Sequence, residues 1–315
     1  MTAPPRKISG IVTALVTPID SAGRLDEPGL ARLIARQEQA GVDAIFVLGS
    51  VGEGPLLDDE VYLQVARQAR AGVRRCVLLG GASDNSIARC VRRLESLAAA
   101  GVEYGVLTLP YYGWPGDPAL SVAFFAAVAA RSPLPIVAYN LPKAVGWQMP
   151  VTALEELFAI PNLVCIKDTH ADFAQMAAVA ASPRRPAHFS YLPGNSALAP
   201  RLLAQGADGV VSTPSNVLAA PLVDLWRWHR AGRRDLVARL DAEVFPKLTG
   251  LLNLAPTGAA AIKGLLEIEH VCARHTVAPW PCMTAAQAPA WARYLAELQE
   301  TYTAFLATID PAARR

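Results

Sequence analysis

At 315 residues with 52% hydrophobic side chains, the chain is long enough for one large α/β barrel or two ordinary domains, and apolar enough to bury a sizeable core, which excludes a disordered polymer. A formal net charge of +2, with Lys and Arg scattered rather than gathered into a stripe, argues against nucleic acid as a partner. Five cysteines without CxxC spacing point to reduced thiols and a cytoplasmic protein, Met1 to Gly10 lacks the apolar stretch of a signal peptide, and charged residues interrupt every apolar segment before about 18 residues, so no membrane partner is expected.

Short apolar runs, mostly rich in β-branched residues, recur at Ile11–Thr17, Ala44–Leu48, Cys76–Leu79, Tyr104–Leu109, Pro135–Tyr139, Leu163–Ile166, His188–Leu192 and Gly209–Ser212. Near-continuous hydrophobicity predicts strands covered on both faces. Helical periodicity lies between them, as at Pro28–Ala40, Asp58–Ala71, Asn85–Ala100 and Ser121–Ala130, and Ala-Gly-Val at 40–42, 71–73 and 100–102 places a glycine where a helix should end. Asp58-Asp59-Glu60 reads as the acidic first turn of a helix. After the eighth strand the pattern is purely helical, over Pro221–His229, Arg234–Leu252, Gly258–Ala273 and Ala285–Leu306. Strand then helix, eight times, predicts a (β/α)8 TIM barrel over residues 1–232 with a C-terminal helical extension over 233–315; a doubly wound open sheet is the alternative.

Residues just past each strand of such a barrel converge on one face, where catalytic groups gather. Lys167 follows the apolar run Leu163–Ile166, where dry surroundings lower the pKa of an amine and leave it able to attack a carbonyl; a lysine snorkelling to solvent is the bland alternative. Tyr139 ends strand five beside it, as a proton carrier or as a ring packed in the barrel mouth. Ser50 stands in the turn Gly49-Ser50-Val51-Gly52-Glu53-Gly54, whose backbone N–H groups suit a carboxylate, although glycine-flanked serines also occur in plain turns. That turn lacks the dinucleotide and P-loop fingerprints, and Glu53 is expected to be buried against backbone donors. The five histidines fall into no metal-ligand spacing, and Glu267 with His270 reads as a solvated helix face, so neither metal nor cofactor is expected.

These motifs together resemble the dihydrodipicolinate synthase and N-acetylneuraminate lyase superfamily across essentially the whole chain: Gly49-Ser50-Val51-Gly52-Glu53 is similar to G-[ST]-T-G-E, Tyr139-Asn140-Leu141-Pro142 to Y-N-x-P, and Ile166-Lys167-Asp168-Thr169 to the Schiff-base lysine motif. Pro110-Tyr111-Tyr112, Gly206-Ala207-Asp208-Gly209 and Ser215-Asn216-Val217 follow in the expected order. The resemblance implies that Lys167 forms an imine with pyruvate or another 2-oxo acid, that Tyr139, Ser50 and Tyr112 relay protons, with Tyr112 reaching in from a neighbouring subunit, and that the chain forms a homotetramer or tight homodimer. Substrate-binding candidates are Gly49 and Val51, Lys143 and Ala144 after strand five, Thr169, then Gly194, Asn195 and Ser196 after strand seven, and Val211 and Thr213 at strand eight.

Three departures shape the substrate expectation. Val51 replaces a hydroxyl, leaving the carboxylate to backbone donors. Ala144 stands where the synthases carry an arginine for the aspartate semialdehyde carboxylate, and the ammonium of Lys143 does not reproduce bidentate recognition. Gly194-Asn195-Ser196-Ala197 replaces the acidic pair of the sialate lyases. The expected function is therefore a Schiff-base lyase, aldolase or dehydratase, acting on a 2-oxo-3-deoxy sugar acid or related 4-hydroxy-2-oxo acid; the alternatives are 4-hydroxy-tetrahydrodipicolinate synthase and, from another class, a non-catalytic 2-oxo acid binding protein.

Overall fold

All eight apolar runs carry strands in the computed structural model, which describes residues 7–311; residues 1–6 and 312–315, and with them most of the Met1–Gly10 stretch, lie outside the described residues. The first half alternates β1 (Gly10–Ala14), α1 (Glu27–Ala40), β2 (Ala44–Val47), α2 (Asp59–Gly72), β3 (Val77–Gly81), α3 (Ile87–Ala99), β4 (Tyr104–Thr108) and α4 (Pro118–Ala129). The second half continues with β5 (Ile136–Asn140), α5 (Pro142–Val145), α6 (Val151–Glu156), β6 (Leu163–Asp168), α7 (Phe173–Ala180), β7 (Ser190–Pro193), α8 (Ala199–Leu203), β8 (Gly209–Ser212) and α9 (Ala220–Arg230). Helix starts follow local chemistry: the side chains of Asp26, Asp58 and Ser86 accept the N–H groups of Gly29, Val61 and Arg89, satisfying amides that the helix itself leaves unpaired. Asp59 and Glu60 form the expected acidic first turn of α2. Of the three Ala-Gly-Val glycines, Gly41 and Gly101 take the left-handed conformation past a helix end, whereas Gly72 is the last residue of α2.

All neighbouring strands are parallel, in the order β7-β6-β5-β4-β3-β2-β1-β8, so β1 lies between β2 and β8 and the sheet curls into a barrel rather than opening as a doubly wound sheet. At the remaining seam, Asp208 N–H donates to Tyr191 O of β7 at 3.0 Å. Strand alternation then divides the core in two. Val12, Phe46, Leu79, Val106, Val137, Tyr139, Cys165, Leu192 and Val211 fill the barrel interior, while the intervening residues pack outward against the helices.

The extension consists of α10 (Arg234–Glu243), α11 (Phe245–Gly250), α12 (Gly258–Ile268) and α13 (Ala288–Ala307). The single helix predicted over Arg234–Leu252 is broken after Glu243, because Pro246 has no N–H to donate and is accommodated in the first turn of a new helix. The helix predicted over Gly258–Ala273 likewise ends at Ile268, and His270 turns left-handed at φ 58°, which takes it off the helical face it was expected to share with Glu267. Among the described residues no helix is long and apolar enough to cross a membrane.

Barrel closure between β1 and β8 requires glycine. Gly10 and Gly209 face each other in register, and a Cβ on Gly209 would lie 2.0 Å from Gly10 O. Gly209→Ala is expected to lower unfolding free energy by about 3 kcal/mol through this backbone clash, read as a shift of the denaturant midpoint.

Candidate active site

Lys167 lies within β6, in register with Tyr139 of β5 on one side and Leu192 of β7 on the other. Alternation from the buried Cys165 turns its side chain into the barrel, where the residue is only 6% exposed. Its Nζ lies 3.8 Å from the centroid of the Tyr139 ring and 4.8 Å from that of Phe46. The adjacent carboxylate has the opposite phase: buried Asp168 points away from the barrel axis and accepts from Asn140 Nδ2 and the Tyr191 hydroxyl, both at 2.8 Å. The aromatic faces favour the ammonium by about 1–2 kcal/mol. Dry surroundings disfavour it by several kcal/mol, and burial wins, lowering the amine to about 7.

Burial acts on Tyr139 in the opposite sense. The phenol is pushed up to about 12, an effect that the neighbouring hydroxyls of Thr169 and Ser50 moderate by favouring its anion. It therefore stays protonated at neutral pH, beside Ser50, the exposed residue of an otherwise mostly buried turn. Thr169 Oγ1 makes no geometrically complete hydrogen bond and keeps bonding capacity for a ligand. Gly194 makes this approach feasible, since a Cβ there would lie 1.8 Å from Thr169 Oγ1 and 3.2 Å from Lys167 Cε. Behind Thr169, His170 Nδ1 accepts from Asp172 N at 3.1 Å, which leaves the proton on Nε2, 3.4 Å from Asp168 Oδ2.

Two cavities are lined by residues that surround Lys167, which itself lines neither. A narrow one of about 40 Å3 brings together Gly49, Ser50, Tyr139 and Ala144, with Ser83, Thr108 and Tyr111. A roomier one of about 400 Å3 brings together Thr169, Gly194, Asn195, Ser196 and Thr213, with Thr249 and Asn253 from the end of α11 and the turn after it. Neither lining contains a charged side chain. Among the described residues, the backbone N–H groups of Ser50 and Val51, in the adjoining turn, donate to no backbone carbonyl.

Other candidates lie further off. Lys143 is exposed and lines neither cavity, Val211 belongs to the inward layer beneath the site, and Val51 is half-buried beside it. Tyr112 is 84% exposed and outside the site of its own chain, whereas its neighbour Tyr111 lines the narrow cavity. Ser83, Thr108, Thr249 and Asn253 were not anticipated; the first two follow β3 and end β4, positions that strand-end reasoning reaches, but the latter two come from beyond the barrel. Glu53 is buried as expected, accepting from Val277 N at 2.8 Å, and is also paired with Lys263 of α12, which was not foreseen.

A family model described as the dihydrodipicolinate synthetase family matches residues 7–296. Among curated proteins, a 4-hydroxy-tetrahydrodipicolinate synthase from Xanthomonas axonopodis pv. citri is 35% identical over 238 residues, covering 75% of this chain and 78% of that protein. The synthase of the same name from Moorella thermoacetica is 32% identical over 242 residues, covering 76% and 82%. Among solved structures, YagE, a prophage protein of the dihydrodipicolinic acid synthase family from E. coli K12 in complex with pyruvate, superposes with a TM-score of 0.85 at 26% identity over 92% of this chain and 98% of that one. The 4-hydroxy-tetrahydrodipicolinate synthase of Methylacidiphilum fumariolicum SolV superposes at 0.88 and 26% identity over 96% and 99%. An amine buried at a strand end, in a parallel barrel matched along nearly its whole length, leads to one conclusion: the chain belongs to the dihydrodipicolinate synthetase family, whose members are class I lyases working through a lysine imine.

Proposed function

We propose that this lyase cleaves or dehydrates a 2-oxo-3-deoxy sugar acid or related 4-hydroxy-2-oxo acid, with Lys167 as its nucleophile and pyruvate as the keto product of cleavage. The observation that carries the substrate class is the 400 Å3 cavity beside Lys167, lined by Thr169, Asn195, Ser196, Thr213, Thr249 and Asn253 without a charged group. Hydroxyls and amides both donate and accept, and so match a neutral polyol tail. Aspartate semialdehyde carries an ammonium and a carboxylate, and desolvating these without partners is costly.

In this reading the neutral Lys167 amine attacks the C2 carbonyl, the carbinolamine loses water, and the protonated imine draws electrons from the adjacent carbons. Tyr139 gives and takes the proton, with Ser50 passing it towards solvent. In the cleavage direction the 4-hydroxyl loses its proton, the C3–C4 bond breaks as an aldehyde forms, and its electron pair enters an enamine. Protonation at C3 and hydrolysis then release pyruvate and restore the amine. The amides of Ser50 and Val51 hold the substrate carboxylate throughout. The second reading, 4-hydroxy-tetrahydrodipicolinate synthase, is favoured by the names of the curated relatives, while Ala144 in the wall of the narrow cavity speaks against it.

We also propose that the protein works as an oligomer, a homotetramer or tight homodimer, in which Tyr112 completes the relay of a neighbouring copy. Its 84% exposure, beside exposed Tyr111, leaves the hydroxyl outside its own site. The free cysteines, four of them buried, suit a reducing cytoplasm.

Borohydride reduction with pyruvate is expected to add one substrate carbon skeleton to Lys167, seen by intact mass and peptide mapping, and to add none to Lys167→Ala. Trapping should rise with pH through a midpoint near 7, because the ammonium that dominates below it is not a nucleophile. Turnover of 2-oxo-3-deoxy acids should exceed condensation of pyruvate with aspartate semialdehyde; the reverse order would favour the synthase reading. Mixing inactive Lys167→Ala and Tyr112→Phe subunits after dissociation should restore part of the activity, and no recovery would place Tyr112 outside the relay.

A further inference from the structure

We infer that Lys263, far from the substrate, is a positioning residue for this reaction: through Glu53 it holds the Gly49–Gly54 turn so that the Ser50 and Val51 amides face the substrate carboxylate. The inference rests on the role proposed for those amides.

The turn is tied by backbone bonds, yet its flanks are strained. Glu53 N–H donates to Ser50 O at 3.2 Å, Gly54 N–H to Gly49 O at 3.1 Å, and Thr17 Oγ1 to Gly52 O at 2.6 Å. Its flanks, Leu48 at φ 60° and Glu53 at φ 56°, are two of the four non-glycine residues that the described chain holds in the left-handed region. A side chain there is strained, so the conformation persists only when its surroundings enforce it. The Glu53 carboxylate supplies that enforcement by taking Val277 N–H on Oε1 at 2.8 Å and Lys263 Nζ on Oε2 at 2.5 Å. Lys263 is fully buried within an otherwise apolar face of α12 and also donates to His275 O at 2.8 Å. A buried ammonium among alanines and leucines is a poor way to stabilise a helix, since apolar replacements commonly serve as well. Its location accounts for it: the only carboxylate it meets among the described residues belongs to the turn that presents the anion donors. The start of α12 lies beside Val51 as well, since a Cβ on Gly258 would come 3.6 Å from Val51 Cγ2.

The test compares Lys263→Met with the unaltered enzyme in two ways. Hydrogen–deuterium exchange is expected to quicken at least tenfold in peptides spanning residues 48–56, with the other strand ends unchanged. The pyruvate concentration giving half-maximal borohydride trapping should rise at least tenfold, while the yield at saturation and the pH midpoint stay put, and Lys263→Arg should recover most of the loss. A lower melting temperature with unchanged exchange and unchanged half-saturation would overturn the inference and leave the pair a matter of stability alone. Should Lys263→Met not fold, the Glu53→Gln/Lys263→Met pair, which strands no buried charge, carries the same expectations. The exchange arm is independent of imine chemistry: absence of any adduct in the unaltered enzyme would sink the functional reading, and the turn's exchange would still decide the clamp.

Discussion

The barrel keeps one amine dry, and that constraint governs the arrangement around it. Lys167 projects into the barrel over the rings of Tyr139 and Phe46, and strand alternation sends the neighbouring Asp168 carboxylate to the other side of the sheet. Had the register slipped by one residue, the carboxylate would face the substrate and the amine the helices. The period-two geometry of β6 therefore does what no single contact does. It separates the buried amine of Lys167 from the neighbouring carboxylate, using adjacent residues of one strand.

That separation requires a buried carboxylate, which is tolerable only if it is hydrogen-bonded. Asn140 and Tyr191 supply hydrogen bonds from the strands on either side, so Asp168 also ties β5 and β7 to β6 at the level of the nucleophile. The second buried charge, Glu53 with Lys263, joins a strand-two turn to a helix 210 residues later. Removing one partner of such a pair typically costs about 3–5 kcal/mol because the other is left uncompensated. Both arrangements place buried polar groups at fixed points of the fold, one between neighbouring strands and one between a turn and a helix.

The barrel was legible in the sequence because its strands are buried on both faces and appear as unbroken apolar runs, and because helix signals such as the acidic run from Asp58 and the glycine at Gly41 punctuate them. Lys167 and Tyr139 were legible as polar residues ending such runs. The extension was read less well. Pro246 marks a break that the overall periodicity of 234–252 obscures, and Lys263 looks like the polar stripe of an amphipathic helix until its neighbours are seen to be buried all round. Thr249 and Asn253 escaped for a related reason: they reach the site from a helix outside the strand–helix repeat, and no local pattern announces which way such a helix faces.

The division of labour around Lys167 has an evolutionary corollary. The groups that would make and break the imine are fixed to β5, β6 and the strand-two turn, whereas the hydroxyl-lined cavity is assembled from segments past β6, β7 and β8 and from the end of α11. Substitutions at 195–197, 213, 249 or 253 would reshape the larger cavity without altering the strand that carries the amine. Built this way, the lining of the larger cavity can vary independently of the strand that carries Lys167.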